Sequence, residues 1–213
     1  AVFADQLAPL DPNEYHTADR LLPPQWFSHG THGYILGTDS MGRDILSRMI
    51  VGAKSSMKVA VLGTLLSLVA GVVLGIIAGY KGGFLDVIIM RCTEVSMCVP
   101  TMTLGVVVMA IFGTSIFNLL LVMIISFWMS FARVCRNEVV SIRDREFIQA
   151  SRALGATNFH IMFTQILPNV TTSLLIVCSN CFGSVILVES CLSYLYLGVQ
   201  LPTASWGNMI AAG

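Results

Sequence analysis

The sequence predicts an all-α fold, a polytopic membrane helix bundle, on three observations. Hydrophobic residues make up 55% of the 213-residue chain and charged residues 11%, well below the quarter that soluble domains carry. Uncharged runs of the roughly 20 residues needed to cross a bilayer as a helix recur along the chain. The remaining charge is gathered into islands. The densest is Arg133 to Arg152, RVCRNEVVSIRDREFIQASR, with eight charged side chains, whereas Val95 to Ala132 has none. The formal net charge of zero argues against a nucleic-acid surface.

Four complete spans are expected. Val59 to Gly79 is an uncharged run flanked by Lys58 and Lys81. The uncharged block that follows is too long for one span, and the turn signal Phe112-Gly113-Thr114-Ser115 divides it into spans from Asp86 to Phe112 and from Ile116 to Ala132. A fourth runs from about Val170 to Val188. Ala1 to Ala8 reads as the end of an earlier helix and Asn208 to Gly213 as the start of a later one, so the chain reads as trimmed at both ends of a six-span protein. Placing the charged island in the cytoplasm puts seven basic residues on that side and five (Arg20, Arg43, Arg48, Lys54, Lys58) outside, a modest positive-inside bias.

The first span carries a stripe of small residues every fourth position: Gly63, Ser67, Gly71, Gly75 and Gly79. In lipid such a stripe lets two helices approach closely, so this face is expected to meet protein. In the second span, Arg91 and Glu94 are three apart and are expected to pair at the interface, and Pro100 is expected to kink the helix. Ser179 and Asn180 read as interhelical hydrogen-bonding residues. Glu189 reads as a solvated helix end. The cysteines lie in or beside spans and read as small hydrophobes; Cys178 and Cys181 have CxxC spacing, but no second pair or histidine cluster completes a metal site. Metalloprotease, nucleophile-elbow and phosphate-loop motifs are lacking, so any ATP that drives this protein is expected to be hydrolysed by another chain.

Within the island, Phe147, Ala150, Ser151 and Leu154 fall at i, i+3, i+4 and i+7, an amphipathic helix with Arg145, Gln149 and Arg152 around its polar side. Gly155 stands where a left-handed C-terminal cap is expected. Thr157 or Asn158 can cap a second short helix through Phe159 and Ile166 to Pro168. The product is a helix–turn–helix finger. Its apolar face suits a groove on a partner or the lipid interface, and composition leaves the two even.

Gln149-Ala150-Ser151, then Gly155 after three intervening residues, and Leu167-Pro168 resemble the EAA loop of ATP-binding-cassette importer permeases. Further segments resemble the dipeptide, oligopeptide and nickel branch of that family, in its order: Gly37-Thr38-Asp39-Ser40-Met41-Gly42-Arg43-Asp44-Ile45-Leu46-Ser47-Arg48, Ile166-Leu167-Pro168-Asn169, Glu189-Ser190-Cys191-Leu192-Ser193 and Ser205-Trp206-Gly207-Asn208-Met209. Four positions depart from the pattern. Gln149 stands for glutamate, Ser151 for the second alanine, Gln165 for an isoleucine or histidine, and Tyr196 for a glycine. The resemblance implies the type I importer permease fold, with residues 1–56 as the end of a first span plus an external segment, and 57–213 as the transmembrane core containing a cytoplasmic coupling loop, 133–168. It implies that Glu146, Phe147, Gln149, Ala150, Ser151, Leu154, Gly155, Leu167 and Pro168 couple the protein to an ATPase. The implied partners are a second homologous permease subunit, two cytoplasmic ATPase subunits that use ATP and Mg, an extracytoplasmic solute-binding protein and the bilayer, with no cofactor on this chain. Peptides are the expected solute, with nickel and glutathione-like solutes as alternatives. An ion-coupled secondary transporter would need ionisable residues at midspan, and an enzyme a catalytic constellation; the sequence offers little of either.

Overall fold

The computed structural model describes residues 3–27, 29–200 and 202–212. Its helices are α1 (Ala4–Leu7), α2 (Ile45–Lys81), α3 (Gly83–Cys98), α4 (Thr101–Phe112), α5 (Ile116–Ile142), α6 (Glu146–Ala153), α7 (Asn158–His160), α8 (Leu167–Tyr194) and α9 (Trp206–Ala212). A π-helical turn, Ile161–Ile166, joins α7 to α8, giving one helix over Asn158–Tyr194. Among the described residues β-structure is confined to a bridge between Thr38 and Asp44.

Among the described residues three helices are long and apolar enough to cross a membrane: Ile45–Lys81, Ile116–Ile142 and Asn158–Tyr194. The expected single span from Asp86 to Phe112 is instead α3 and α4, bent by 85° at Val99–Pro100. Pro100 removes a backbone donor and drives Val99 to extended backbone (φ −91°, ψ 117°). The pair counts as a fourth span only if the broken helix is taken as one.

The other spans exceed their sequence limits for local reasons. α2 starts at Ile45 because Asp44 caps it: its carboxylate accepts from the Ser47 N–H at 2.8 Å and the Ser47 hydroxyl at 2.6 Å. Arg48, Lys54 and Lys58 are charged but good helix formers, so hydropathy ends there while the helix does not. α5 likewise runs beyond Ala132, so the first half of the charged island is helical. The start of α5 is pinned by the Ser115 hydroxyl, which accepts from the Asn118 N–H. The last two carbonyls before the turn, of Phe112 and Gly113, accept from the Asn118 amide.

The chain divides into two compact units, Ala1–Val61 with Gly105–Leu120 and Val185–Gly213, and Leu62–Leu104 with Leu121–Ser184. In the first unit, α9 lies along the start of α2. The Trp206 indole donates to the Met49 carbonyl at 3.3 Å, and the Ser56 hydroxyl accepts from the Trp206 N–H. The end of α8 also approaches α9, where a Cβ on Gly207 would lie 2.4 Å from the Ser190 carbonyl oxygen. Asp39 forms a hub between Arg43 and Arg48, both buried.

In the second unit the small-residue stripe of α2 lies against α5 in parallel register. A Cβ on Gly71 would fall 2.3 Å from the Trp128 carbonyl oxygen, on Gly75 2.6 Å from that of Ala132, and on Gly79 2.8 Å from that of Arg136. Ser67 donates to the carbonyls of Gly63 and Met123. Four-residue steps on α2 thus meet four-residue steps on α5, and the backbones touch where side chains are missing. Arg136 closes the C-terminal end of α5 onto α3 through a two-pronged pair with Asp86, at 3.0 and 2.5 Å.

Candidate functional site

The finger begins where α5 ends. Arg145, in extended backbone (φ −70°, ψ 152°), leads into α6, and Glu146 in the first turn complements the helix dipole. The Gln149 amide reaches back to the Asp144 carbonyl at 3.0 Å. Ile148 is fully buried and anchors α6. It lies outside the apolar face that spacing gives, although a β-branched apolar residue between Arg145 and Arg152, on the polar side of the helix, is a usable signal for an anchor.

With Ile148 inward, Phe147, Ala150 and Leu154 point outward. Phe147 is 42% exposed and Leu154 89%. Ser151, assigned to the same face by spacing, turns toward the second limb, where its hydroxyl accepts from the Gln165 amide at 2.6 Å. Two of the departures from the EAA pattern therefore pair with each other. Gly155 adopts φ +85° with open space around it. The Ala156 N–H bonds to the Ser151 carbonyl and the Gly155 N–H to that of Arg152, the double closure that ends a helix on a left-handed glycine.

Thr157 caps the second limb, its hydroxyl accepting from the His160 N–H at 3.3 Å. This limb is not the separate short helix expected from Asn158 to Pro168. It continues unbroken into α8, with Leu167 and Pro168 inside the helix. The π-helical turn explains how. The Leu167 N–H bonds to the Met162 carbonyl five residues back, which widens the ladder just before a residue with no N–H to offer. Phe159 and Phe163 stack with ring centroids 4.4 Å apart, and both are exposed. The finger thus presents Phe147 and Leu154 on one limb and an aromatic pair on the other.

Three side-chain bonds tie the finger to the end of α2. Arg143 donates to the Gly79 carbonyl at 2.8 Å, the Tyr80 hydroxyl donates to the Asn158 side-chain oxygen at 2.8 Å, and Arg152 donates to the Tyr80 hydroxyl at 3.2 Å with its guanidinium 5.7 Å from the Tyr80 ring centre. Tyr80 was missed. Its place at the end of a span, where aromatic residues with a polar tip collect, was the signal available.

Other sequence expectations meet mixed outcomes. Arg91 and Glu94 pair at 2.6 Å and are exposed. Ser179 bonds within its own helix, to Leu175, and Asn180 accepts from Ser184 in the same way, so neither bridges helices among the described residues. Cys135 and Cys181 are buried, but Cys92, Cys98 and Cys191 are exposed, so the small-hydrophobe reading holds for part of the set; all six are free. No group of three or more His, Cys, Asp or Glu among the described residues is placed to hold a metal. Glu189 is fully buried rather than solvated. It accepts from the Ser193 hydroxyl at 2.7 Å, and that hydroxyl accepts from the Val199 N–H at 3.0 Å. The carboxyl group is thereby tied, through Ser193, to the turn that follows α8.

Tyr196 lies in that turn at φ +60°, a conformation costing a residue with a Cβ about 1–2 kcal/mol. The resemblance puts glycine here, and the backbone gives the reason. Tyr196→Gly is expected to stabilise the protein by about 0.5–1 kcal/mol after the greater unfolded-state entropy of glycine is allowed for, as a rise in the thermal midpoint of the detergent-solubilised protein. A fall in the midpoint would show that ring contacts outweigh the backbone cost.

Residues 71–213 match the family described as binding-protein-dependent transport system inner membrane component. Over the whole chain, similarity extends to the di/tripeptide transport system permease protein of Pseudomonas aeruginosa, 36% identical over 212 residues that make up 100% of this chain and 70% of the relative. The oligopeptide transport system permease protein of Bacillus subtilis is 34% identical, covering 100% of this chain and 68% of the relative. The glutathione transport system permease protein of Pectobacterium atrosepticum is 34% identical, covering 99% and 68%.

Proposed function

Because the chain belongs to the family of binding-protein-dependent transport system inner membrane components, a family of multi-pass transport subunits, we propose that it is the permease subunit of an ATP-driven importer of di- or oligopeptides. A second homologous permease completes the path, a solute-binding protein delivers the peptide from outside, and two cytoplasmic ATPase subunits hold the ATP and Mg. The observation that carries this reading is the finger: an exposed apolar face of Phe147, Ala150 and Leu154, ended by a left-handed Gly155 and braced at its base. A surface of that kind is suited to a groove on a partner protein. The peptide assignment rests on what the named relatives carry. The glutathione permease among them gives weaker support to a second reading, in which the solute is a modified tripeptide.

The chemistry of such a subunit is mechanical. ATPase closure binds the finger in one position more strongly than in another, and that difference biases two packings of the helices. Because a site of this kind can shift the equilibrium only by its differential binding, the geometry of the finger matters more than the tightness of docking.

Gly155→Pro tests the reading. Proline fixes φ near −65° against the +85° observed, removes the N–H that bonds to Arg152, and disfavours the near-helical backbone of Leu154. Membrane insertion is expected to persist, while peptide uptake per ATP hydrolysed by the reconstituted complex falls roughly tenfold or more, equivalent to about 1.4 kcal/mol of lost coupling. Normal coupled transport by this variant would sink the assignment.

A further inference from the structure

We propose that Tyr80 is a positioning residue for coupling: it locks both limbs of the finger to the end of α2, so that finger displacement is delivered into the α2–α5 pair. The inference rests on the importer reading above and deepens it by naming the route from the docking face to the membrane helices.

The argument begins with the ends of the elements. A helix leaves its last four carbonyls without internal partners, and α2 ends at Lys81 ahead of Gly82 at φ +64°. Two of its last three residues are engaged by the finger. The Gly79 carbonyl accepts from Arg143, which stands just past the end of α5, and the side chain of Tyr80 meets both limbs. Its hydroxyl is used in full. It donates its proton to Asn158 at the start of the second limb and accepts from Arg152 in the last turn of the first. The guanidinium of Arg152 also lies near the Tyr80 ring, a contact that survives loss of the hydroxyl.

A single phenol oxygen therefore holds residues 152 and 158, the two sides of the Gly155 turn. Gln165 and Ser151 make a second clamp across the same limbs. With the limbs clamped to each other, the finger moves as one piece. With Tyr80 holding that piece, its motion is applied at the end of α2. One turn and two turns further along, Gly75 and Gly71 bring the α2 backbone against α5, so a pull on this end meets a seam with little side chain to absorb it. The two Tyr80 bonds are exposed, one of them from a charged donor, and water competes for the same groups, so they add little to overall stability. Their role is geometric, and that separates a coupling role from a merely structural one.

The test uses the full reconstituted complex in proteoliposomes, reading peptide uptake and ATP hydrolysis per assembled complex. Tyr80→Phe keeps the ring beneath Arg152 and removes only the hydroxyl. Uptake per ATP is expected to fall roughly three- to tenfold, the effect of losing one or two hydrogen bonds from the coupled state, while assembly and the ATPase rate stay near normal. Asn158→Leu is expected to give the same loss, and Tyr80→Phe with Asn158→Leu no more than either alone. Asn158→Asp, which keeps the acceptor, is expected to restore most of the ratio. An unchanged ratio in Tyr80→Phe overturns the proposal, as do additive losses in the double variant. Gly155→Pro in the same assay separates the two levels: if it uncouples and Tyr80→Phe does not, only the Tyr80 role fails; if neither uncouples, the importer reading itself fails.

Discussion

Replacing Gly71 with leucine is expected to prevent α2 and α5 from packing, and to do so more severely than any other single change on the small-residue stripe. Even the first added carbon would stand 2.3 Å from the Trp128 carbonyl oxygen, 2.6 Å from the Phe131 Cβ and 2.9 Å from the Ala132 nitrogen. Two of these three are backbone atoms, so no rotamer change makes room and one helix has to move. Overpacking a tight interface costs about 1–3 kcal/mol where side chains can yield; with backbone opposing backbone about 3 kcal/mol or more is expected. The movement would also misalign Ser67 with the Met123 carbonyl and Cys135 with Val72. The folded fraction of Gly71→Leu in detergent, followed by size-exclusion profile and thermal midpoint, should fall sharply, with Gly71→Ala already impaired. Gly183 supplies the control: nothing lies within 4 Å of a Cβ built there, so Gly183→Ala should unfold like the parent. Equal behaviour of Gly71→Leu and Gly183→Ala would show that the stripe is not a packing seam.

That contrast also marks what the sequence could convey. The four-residue spacing from Gly63 to Gly79 announced a close helix contact, because small residues at that period have few other uses in lipid. It could not announce the partner. The match of Gly71, Gly75 and Gly79 to Trp128, Ala132 and Arg136 is a register between distant segments, and nothing in the local pattern of α5 declares it. Span limits failed in one direction for one reason: hydropathy reports where lipid contact ends, whereas helices end at caps. Asp44 before Ile45 was a readable cap, and it would have placed the start of α2 correctly. Pro100 predicts a kink, yet hydropathy alone does not show that the bend splits α3 from α4. In the finger, the left-handed Gly155 and the outward Phe147 and Leu154 followed from spacing, but Ile148, Tyr80 and the Ser151–Gln165 clamp depend on tertiary neighbours. The burial of Glu189 is not legible, because a charge near a helix end is ordinarily solvated; here the turn after α8 is bonded to it through Ser193.

Asp39→Ala is expected to be the most damaging change in the segment before α2. The Asp39 carboxylate accepts from the N–H groups of Met41 and Arg43 at 2.9 and 3.0 Å and from the Arg43 guanidinium at 2.7 Å, and it stands 3.6 Å from that of Arg48. Arg43 and Arg48 are buried, 3% and 1% exposed. Removing the acid leaves two buried cations side by side, with the Tyr15 ring near Arg43 and the Pro12 carbonyl on Arg48 as the remaining partners among the described residues. Breaking a buried pair from one side costs about 3–5 kcal/mol, so a large drop in the thermal midpoint is expected, with Asp39→Asn intermediate because it keeps an acceptor for the turn. The same hub sets a pH dependence. Burial alone pushes the Asp39 carboxyl upward, but the hydrogen bonds from Arg43 and Met41 and the charge of Arg43 outweigh it, and the net shift is downward. A carboxyl whose folded value lies below its unfolded value of about 3.9 contributes stability that is fully present above that value and is lost as the pH falls through the folded value. Between pH 7 and pH 5 the gap in midpoint between parent and Asp39→Ala should therefore stay constant, and below about pH 4 it should narrow as protonation removes from the parent what the substitution has already removed. A gap that widens on acidification would show that the carboxylate is not what holds Arg43 and Arg48 in place.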